Sequence, residues 1–392
     1  LAISFFGIFK INNKNSMLSL YIHIPFCVGK CPYCGFYSTP YFYDHAVEFI
    51  SALRIEALNY KKSFEDKVFE SVYIGGGTPS VLSDEEFSQV LEIVKTSFTI
   101  SRDVEFTAEA NPNTAVNRDL SMWKKEGVNR LSLGVQSFSD AVLRLLGRLH
   151  TAEQAQTAFC RARRAGFQNI SLDLMYGIPE QTIDQWNRTL DSAIGLRPEH
   201  LSIYSLSMDE GSTFKRETES GKRPRPDDDI AADMYESALF KIGCAGHRRY
   251  EISNFSLPGY ECRHNNNYWQ RGEYLGLGPG AWSFIRGTRS FNIADLHAYS
   301  TFLSQGIPVT AESEILDEEK SSKETIMLSL RTMKGLNLDQ YLAEYGPRFL
   351  KNLETKVAPL AAAGLLSVKE GVMTLTDRGI LLSNEALSRL SS

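Results

Sequence analysis

Three thiols fall within eight consecutive positions, Cys27-Val28-Gly29-Lys30-Cys31-Pro32-Tyr33-Cys34. A Cys-x3-Cys-x2-Cys loop is compact enough for three thiolates to converge on one inorganic centre, and thiolate is the ligand that selects zinc or an iron–sulfur cluster. A closed structural zinc site takes four protein ligands, yet no fourth cysteine stands nearby. Position 36 is Phe36, and Cys160, Cys244 and Cys262 are remote in the chain. Three ligands leave one corner open. On a [4Fe–4S] cluster that corner is an iron free for a small molecule; the alternatives are a zinc site completed by His23, or three unrelated thiols.

The elements that must position this loop are legible around it. From Leu18 onward short β-branched runs alternate with helical patterns, which predicts parallel strands joined by crossover helices. Strands are expected over residues 20–24, 71–74, 104–109, 130–135, 170–175 and 201–206. Ser83-Asp84-Glu85-Glu86 and Thr151-Ala152-Glu153-Gln154 read as capping boxes that start helices. Six βα units rather than eight predict an α/β fold, a partial (β/α)6 TIM-like barrel, whose chemistry gathers at the C-terminal strand ends. At those ends stand Gly75-Gly76-Gly77-Thr78-Pro79, Glu109-Ala110-Asn111-Pro112, Gln136-Ser137-Phe138, and Asp173 ahead of Tyr176-Gly177-Ile178-Pro179. The glycine run lets backbone approach a ligand closely. Each segment alone is as readily a turn or a helix cap, but their recurrence at successive strand ends points to a ligand site.

Composition narrows the class. Of 392 residues, 43% are hydrophobic and 23% charged, enough for a large core and a second domain. A net charge of −5 offers no basic footprint, so nucleic acid is not an expected partner. Six cysteines, three of them in one loop, suit a reducing compartment, and a cytoplasmic location is expected. The apolar run ending at Phe9 is too short to span a bilayer and has no small-residue cleavage site after it, so no stable membrane insertion is expected. Residues 1–17 are read as a disordered extension, with a weak membrane-surface contact as the alternative. The barrel is placed at 18–243, its polar stretch 209–229 acting as a lid or connector. A connector follows at 244–316. Residues 317–392 show two or three helices, a strand pair about Glu370-Gly371 and a last helix, a winged-helix-like α+β order. From Glu314 on, ten Lys and Arg face eleven Asp and Glu, so this module is read as a cap or partner surface, not a DNA reader.

Taken together, these segments resemble the radical S-adenosylmethionine (SAM) superfamily. From about Tyr21 onward the chain is similar to one branch of it, the oxygen-independent coproporphyrinogen III oxidases and their relatives, the HemW-type heme chaperones. The resemblance implies a [4Fe–4S] cluster on Cys27, Cys31 and Cys34, its free iron chelated by the amino and carboxylate groups of SAM. It implies SAM contacts at Tyr21, Tyr33, Gly76, Gly77, Thr78, Glu109, Gln136, Arg148, Asp173, Ser207 and Trp282. The residue types suit those roles: glycine amides and Thr78 for the methionine moiety, Glu109 for an ammonium or ribose hydroxyl, Arg148 for a carboxylate held bidentately, Asp173 for a ribose diol. The string His264-Asn265-Asn266-Asn267-Tyr268-Trp269 is similar to the His-Asn-x-x-Tyr-Trp of the chaperone branch, where the histidine is proposed to ligate heme. Imidazole is a common axial ligand; a histidine hydrogen-bonded within a loop is the plain alternative.

Departures from the branch favour the chaperone. The oxidases carry a fourth cysteine where Phe36 stands, and a long segment before the cluster where this chain has at most twenty-odd residues. One departure runs the other way, since many relatives have histidine where Trp282 stands. The implied function is a heme chaperone that binds heme, a [4Fe–4S] cluster and SAM and delivers heme to an acceptor protein. A radical enzyme of porphyrin biosynthesis, such as a coproporphyrinogen III dehydrogenase, is the alternative, and homodimerisation is left open.

Overall fold

Six strands repeat one pattern, polar residues on one face and apolar residues on the other, as the two-residue period of a strand permits. They are β1 (Ser19–Ile24), β2 (Val68–Gly76), β3 (Thr99–Ala110), β4 (Arg130–Gln136), β5 (Ile170–Tyr176) and β6 (His200–Ser205). Leu20, Ile22, Val72, Ile74, Phe106, Leu131, Leu133, Leu172, Leu201 and Ile203 enter the main core. Between them in sequence stand Tyr21, His23, Tyr73, Glu105, Thr107, Glu109, Arg130, Ser132, Ser171, Asp173, His200 and Ser202. In a filled barrel the inner face is packed with Val, Ile and Leu. Here it is lined with hydrogen-bonding groups.

The computed structural model describes residues 17–209 and 211–391, so the expected N-terminal extension lies, but for Met17, outside the described residues. The six strands pair in parallel in chain order, as the partial barrel requires. Crossover helices return the chain each time, among them Tyr43–Lys61, Asp84–Ser97, Ala152–Arg164 and Ile183–Gly195. The expected capping boxes at Ser83 and Thr151 are both formed, and Thr182 with Gln185 makes a third.

The segment 244–316, expected as a connector, instead extends the same sheet at both edges. β7 (Arg248–Arg249) and β8 (Asn254–Ser256) add antiparallel strands beyond β6. β9 (Tyr274–Leu277) lies parallel against β1, and β10 (Trp282–Ile285), β11 (Thr288–Asn292) and β12 (Thr310–Ile315) continue outward as an antiparallel meander. The result is one sheet of twelve strands. These strands escape a reading by periodicity because they are short, and the outermost, Thr-Ala-Glu-Ser-Glu-Ile, is exposed throughout. Charges on an edge strand block further pairing rather than build a core.

Beyond residue 316 come the helix Glu318–Ser329, the short strand Leu336–Asn337, helices Leu338–Tyr345 and Pro347–Ala362, and the strands Leu366–Lys369 and Val372–Leu375. This is the winged-helix order expected. Its wing turns on Glu370 and Gly371, both left-handed (φ 51° and 74°), the geometry of a tight hairpin. Arg271 ties the module to the sheet through Glu324 (2.9 Å) and Ser321 (2.6 Å), and Arg249 through Asp377 (2.7 Å). Among the described residues no helix is long and apolar enough to cross a membrane.

A buried carboxylate fixes the added meander to the barrel. Glu56, in the helix Tyr43–Lys61, accepts from the Gly278 amide (2.8 Å), Asn292 Nδ2 (2.7 Å) and the Tyr299 hydroxyl (2.6 Å). Burial nonetheless pushes its pKa up to about 7, from an ordinary 4.5. Between those values the native state keeps a proton that the unfolded chain has released, so stability falls as the pH rises from about 4.5 to about 7. Replacing Glu56 with Gln, which cannot ionise, should flatten that fall in denaturant titrations at pH 5 and pH 7.5. An unchanged slope would mean that Glu56 does not titrate there. Some slope should survive in any case, because burial also raises Glu109 and Glu251 to about 7.

Candidate cofactor site

The cysteine loop crosses the C-terminal ends of the strands. It leaves β1 at Pro25 and is closed on itself where Phe26–Cys27 pairs with Thr39–Pro40. Cys34 N–H turns back to Cys31 O (3.1 Å). Burial raises the Cys34 thiol, and Cys31 and Cys27 raise it further. Among the described residues no three ligating side chains converge tightly enough for a single metal ion. A cubane, which would offer a different iron to each thiolate, does not need the three to converge on one ion. His23 is not turned toward the thiols. Its Nε2 meets Tyr37 O (2.9 Å) and its Nδ1 the Tyr21 hydroxyl (3.1 Å). Since a carbonyl only accepts, Nε2 carries the proton, and burial keeps the ring neutral by lowering its pKa to about 4. Both nitrogens are used within the protein, which removes the fourth ligand from the zinc reading.

The polar stretch expected as a lid clasps this loop from outside. Phe214, in the helix Thr213–Glu219, donates its amide to Pro32 O (2.9 Å) and sets its ring against Tyr33. With Val142, Leu146, Met175, Ile178 and Leu206 it forms a small separate core beneath the cysteines.

Six of the residues implied as SAM contacts converge near the loop. Thr78 Oγ1 lies 3.5 Å from Cys27 Sγ. Arg148 reaches Cys31 Sγ through Nη1 (3.6 Å), while its Nη2 donates to Asn111 Oδ1 and Gly134 O, both at 2.6 Å. A bidentate carboxylate grip on this guanidinium would therefore have to displace protein partners. Tyr33 sits beside Arg148 and Cys31, its phenol raised by burial. Gly76 and Gly77 answer first to protein packing. A Cβ on Gly76 (φ +104°) would come within 2.6 Å of His23 Nδ1, and one on Gly77 within 2.5 Å of Phe26 O. Gln136 ends β4 in a left-handed conformation (φ 64°), and a Cβ on Gly134 would come within 3.2 Å of its Nε2 and 3.3 Å of Arg148 Nη2.

Three more line the lumen below. Glu109 accepts from the Tyr73 hydroxyl (2.8 Å), and burial, with help from Asp173, sets its pKa at about 7, so it can give or take a proton near neutrality. Asp173 accepts from Ser132 (3.0 Å) and Ser171 (3.2 Å), burial raising its pKa. Tyr21 spans from His23 toward Tyr73. Ser207 and Trp282 stand apart. Ser207 donates to Asp209 (2.7 Å), and Trp282 lies two strands out from β1, half-exposed with its ring near Phe291. Asn111, Tyr73 and His23 join the site without having been expected as SAM contacts. Strand alternation is the signal that points to them, since Asn111 follows Glu109, and His23 follows Tyr21, by two.

His264 lies at the opposite end of the barrel. Its Nδ1 meets Ser71 Oγ (2.9 Å) near the start of β2, and Ser71 sits five residues, about 16 Å, below Gly76 at the rim. Its Nε2 accepts from Tyr268 OH (2.8 Å) within the same short helix Arg263–Trp269. Glu105 receives the amides of Arg263 (2.9 Å) and His264 (3.0 Å), and Asn267 donates to Ser19 (2.9 Å). Burial lowers the imidazole's pKa to about 3. The His-Asn-x-x-Tyr-Trp segment thus plugs the barrel floor, and the ring nitrogen that an iron would need is covered by Tyr268. In this arrangement His264 is not open to a porphyrin.

Comparison with known proteins follows the same lines. Residues 21–193 match the family model of the radical SAM superfamily, and residues 316–382 that of the HemN C-terminal domain. The chain is 36% identical to the heme chaperone HemW of Bacillus subtilis, over 94% of this chain and 98% of that one. It is 36% identical to the mitochondrial radical S-adenosyl methionine domain-containing protein 1 of Bos taurus, over 95% of this chain and 86% of that one. Among solved structures, the coproporphyrinogen III oxidase HemN of Escherichia coli superposes with a TM-score of 0.84 at 24% identity, over 97% of this chain and 92% of that one, a likeness of fold. A partial barrel with a three-cysteine loop at its mouth is the architecture of a radical SAM protein. Within that superfamily the chain belongs to the family of HemW heme chaperones.

The floor arrangement carries its own test. His264→Ala leaves the Ser71 and Tyr268 hydroxyls short of a partner and opens a cavity, at a cost of about 2–5 kcal/mol. Denaturant unfolding should show that loss while the cysteine loop, at the other end of the strands, keeps its conformation. Unchanged stability would mean the ring is not bonded as described.

Proposed function

We propose that this chain is a heme chaperone. It holds a [4Fe–4S] cluster on Cys27, Cys31 and Cys34, binds SAM between the cluster loop and the lumen, and passes heme to an acceptor protein in the cytoplasm. The observation that carries this reading is the likeness to HemW over nearly the whole of both chains, with Phe36 at the position of the oxidases' fourth cysteine. A cluster with one open iron supplies the site at which the amino and carboxylate groups of SAM chelate. The chain's own residues set the surroundings: Thr78 and Arg148 flank the thiols, and Glu109, poised near neutrality, faces the lumen as a partner for an ammonium or ribose hydroxyl. Tyr73 holds the Glu109 carboxylate, and Ser132 and Ser171 hold that of Asp173. His264 enters as an axial ligand only if the helix Arg263–Trp269 leaves the floor. The second reading, a radical enzyme of porphyrins, rests on the fold shared with HemN.

Anaerobic reconstitution with iron and sulfide should give about four irons per chain. Cys27→Ala, Cys31→Ala or Cys34→Ala should abolish this, and Cys160→Ala should not. Glu109→Ala and Asp173→Ala should keep the cluster but weaken SAM binding roughly ten- to a hundredfold, the worth of a charge-assisted hydrogen bond. Offered heme, the protein should take up about one per chain, on the stoichiometry of a single axial site. A Soret band unchanged in His264→Ala would place the heme contact elsewhere. Coproporphyrinogen III should go unconverted; multiple-turnover release of carbon dioxide from it would overturn the chaperone reading in favour of the oxidase.

A further inference from the structure

Asn111 has a place in the molecule that its strand-end position alone does not explain. Its side-chain amide stands between Arg148 and Thr78, and those two residues each reach one of the loop thiols. With the cysteines taken as ligating thiolates, the direction of each hydrogen bond in this bracket follows from donor chemistry. A guanidinium only donates, so Arg148 Nη2 must face the amide oxygen, Asn111 Oδ1 (2.6 Å). That orients the amide nitrogen toward Thr78, and Nδ2 donates to Thr78 Oγ1 (2.8 Å). The threonine oxygen is then an acceptor, and because a cluster-ligating Cys27 is a thiolate with no proton to give, the Thr78 hydroxyl is the donor to Cys27 Sγ at 3.5 Å. At the other end Arg148 Nη1 donates to Cys31 Sγ at 3.6 Å. A single amide therefore fixes a relay whose two ends are both donors to sulfur. Space has been kept for it: a Cβ on Gly134 would come within 2.8 Å of Asn111 Oδ1.

We propose that Asn111 is a positioning residue that raises the reduction potential of the cluster by keeping a hydrogen-bond donor on each of two thiolates, Cys27 through Thr78 and Cys31 through Arg148. The proposal rests on the assignment of the three cysteines as ligands of a [4Fe–4S] cluster. Donors to cluster sulfurs withdraw electron density and favour the reduced, more negative state, so they move the potential upward. Asn111 itself touches neither sulfur in the described contacts. Its effect is exerted through which way the Thr78 proton and the Arg148 guanidinium point.

Asp at this position makes the distinguishing variant. Its carboxylate would still accept from Arg148 but would also accept from Thr78, turning the threonine proton away from Cys27 and adding a negative charge. The full chain, reconstituted anaerobically, is titrated by EPR-monitored reduction. Asn111→Asp should retain its iron and shift the midpoint to more negative potential by a tenfold or greater change in the one-electron equilibrium, ~59 mV. Asn111→Ala should shift in the same direction. Thr78→Val should follow, while Thr78→Ser, which keeps the hydroxyl, should titrate with the unaltered protein; this pair also reads the Cys27 arm if the Asn111 variants lose iron. A residue that merely supported the fold would change melting temperature without moving the potential. A full cluster with an unmoved midpoint in Asn111→Asp overturns the role given to Asn111. An unaltered chain that takes up no iron and sulfide overturns the cluster assignment instead.

Discussion

The constraint on which this structure depends is the desolvation of its polar lumen. Each of the six barrel strands turns hydrogen-bonding side chains inward and hydrocarbon outward, so the inner face holds groups that would cost several kcal/mol apiece if left unpaired. The chain meets most of that demand by pairing them across strands, while Thr107 Oγ1 and Arg130 Nε have no hydrogen-bond partner among the described residues. Tyr73 binds Glu109 across β2 and β3, Ser132 binds Asp173 across β4 and β5, Ser171 meets His200 across β5 and β6, and Ser19 meets Ser71 across β1 and β2. Such contacts also fix register, because a slip of one residue would exchange the polar and apolar faces of a whole strand. The lumen is consequently rigid and polar at once, which is the condition for holding a polar ligand in one orientation.

The two ends of that lumen are closed in different ways. At the floor, the short helix Arg263–Trp269 is held by protein on every side: Glu105 takes its first amides, Asn267 binds Ser19, and His264 bridges Ser71 and Tyr268. At the rim the polar groups converge on thiols, and the loop that carries them is gripped from outside by Phe214 and from inside by His23 through Tyr37. One end is sealed by side chains that satisfy one another. The other brings Thr78 and Arg148 to two of the sulfur atoms.

The barrel is legible in the sequence because its strands are long enough to show alternation and its helices begin with capping boxes, a pattern that satisfies two orphan amides at once and so marks a helix start. All six predicted strands are present, with ends moved by at most a few residues apart from β2 and β3, which start earlier. The strands of 244–316 are hidden for the opposite reason. They are two to six residues long, and the outermost, Thr310–Ile315, has no buried face to write into its sequence. The cysteine loop is fully visible, since three thiols in eight residues have few uses. What cannot be read is direction. Nothing in the residue string tells that His264 sits at the floor and the thiols at the rim, or that Arg148 turns its Nη2 toward Asn111, because such facts depend on which strand end a loop returns to.

The glycine run after β2 has a packing role beside the ligand role expected of it. Gly75-Gly76-Gly77 suggests backbone left bare for a ligand, yet the space a side chain would need at Gly76 is filled by the His23 imidazole and at Gly77 by the Phe26 carbonyl. The glycines let the end of β2 press against the end of β1, where the cysteine loop begins. Gly77 N–H then bonds to Ile24 O (2.8 Å), and Thr78 is delivered to Cys27. Because His23 in turn holds Tyr37, the imidazole, the glycine run and the first thiol are linked by direct contacts. Larger residues in the run would first push the cysteine loop off its seat, so their effect on ligand binding would be exerted through the thiols as well as through the backbone.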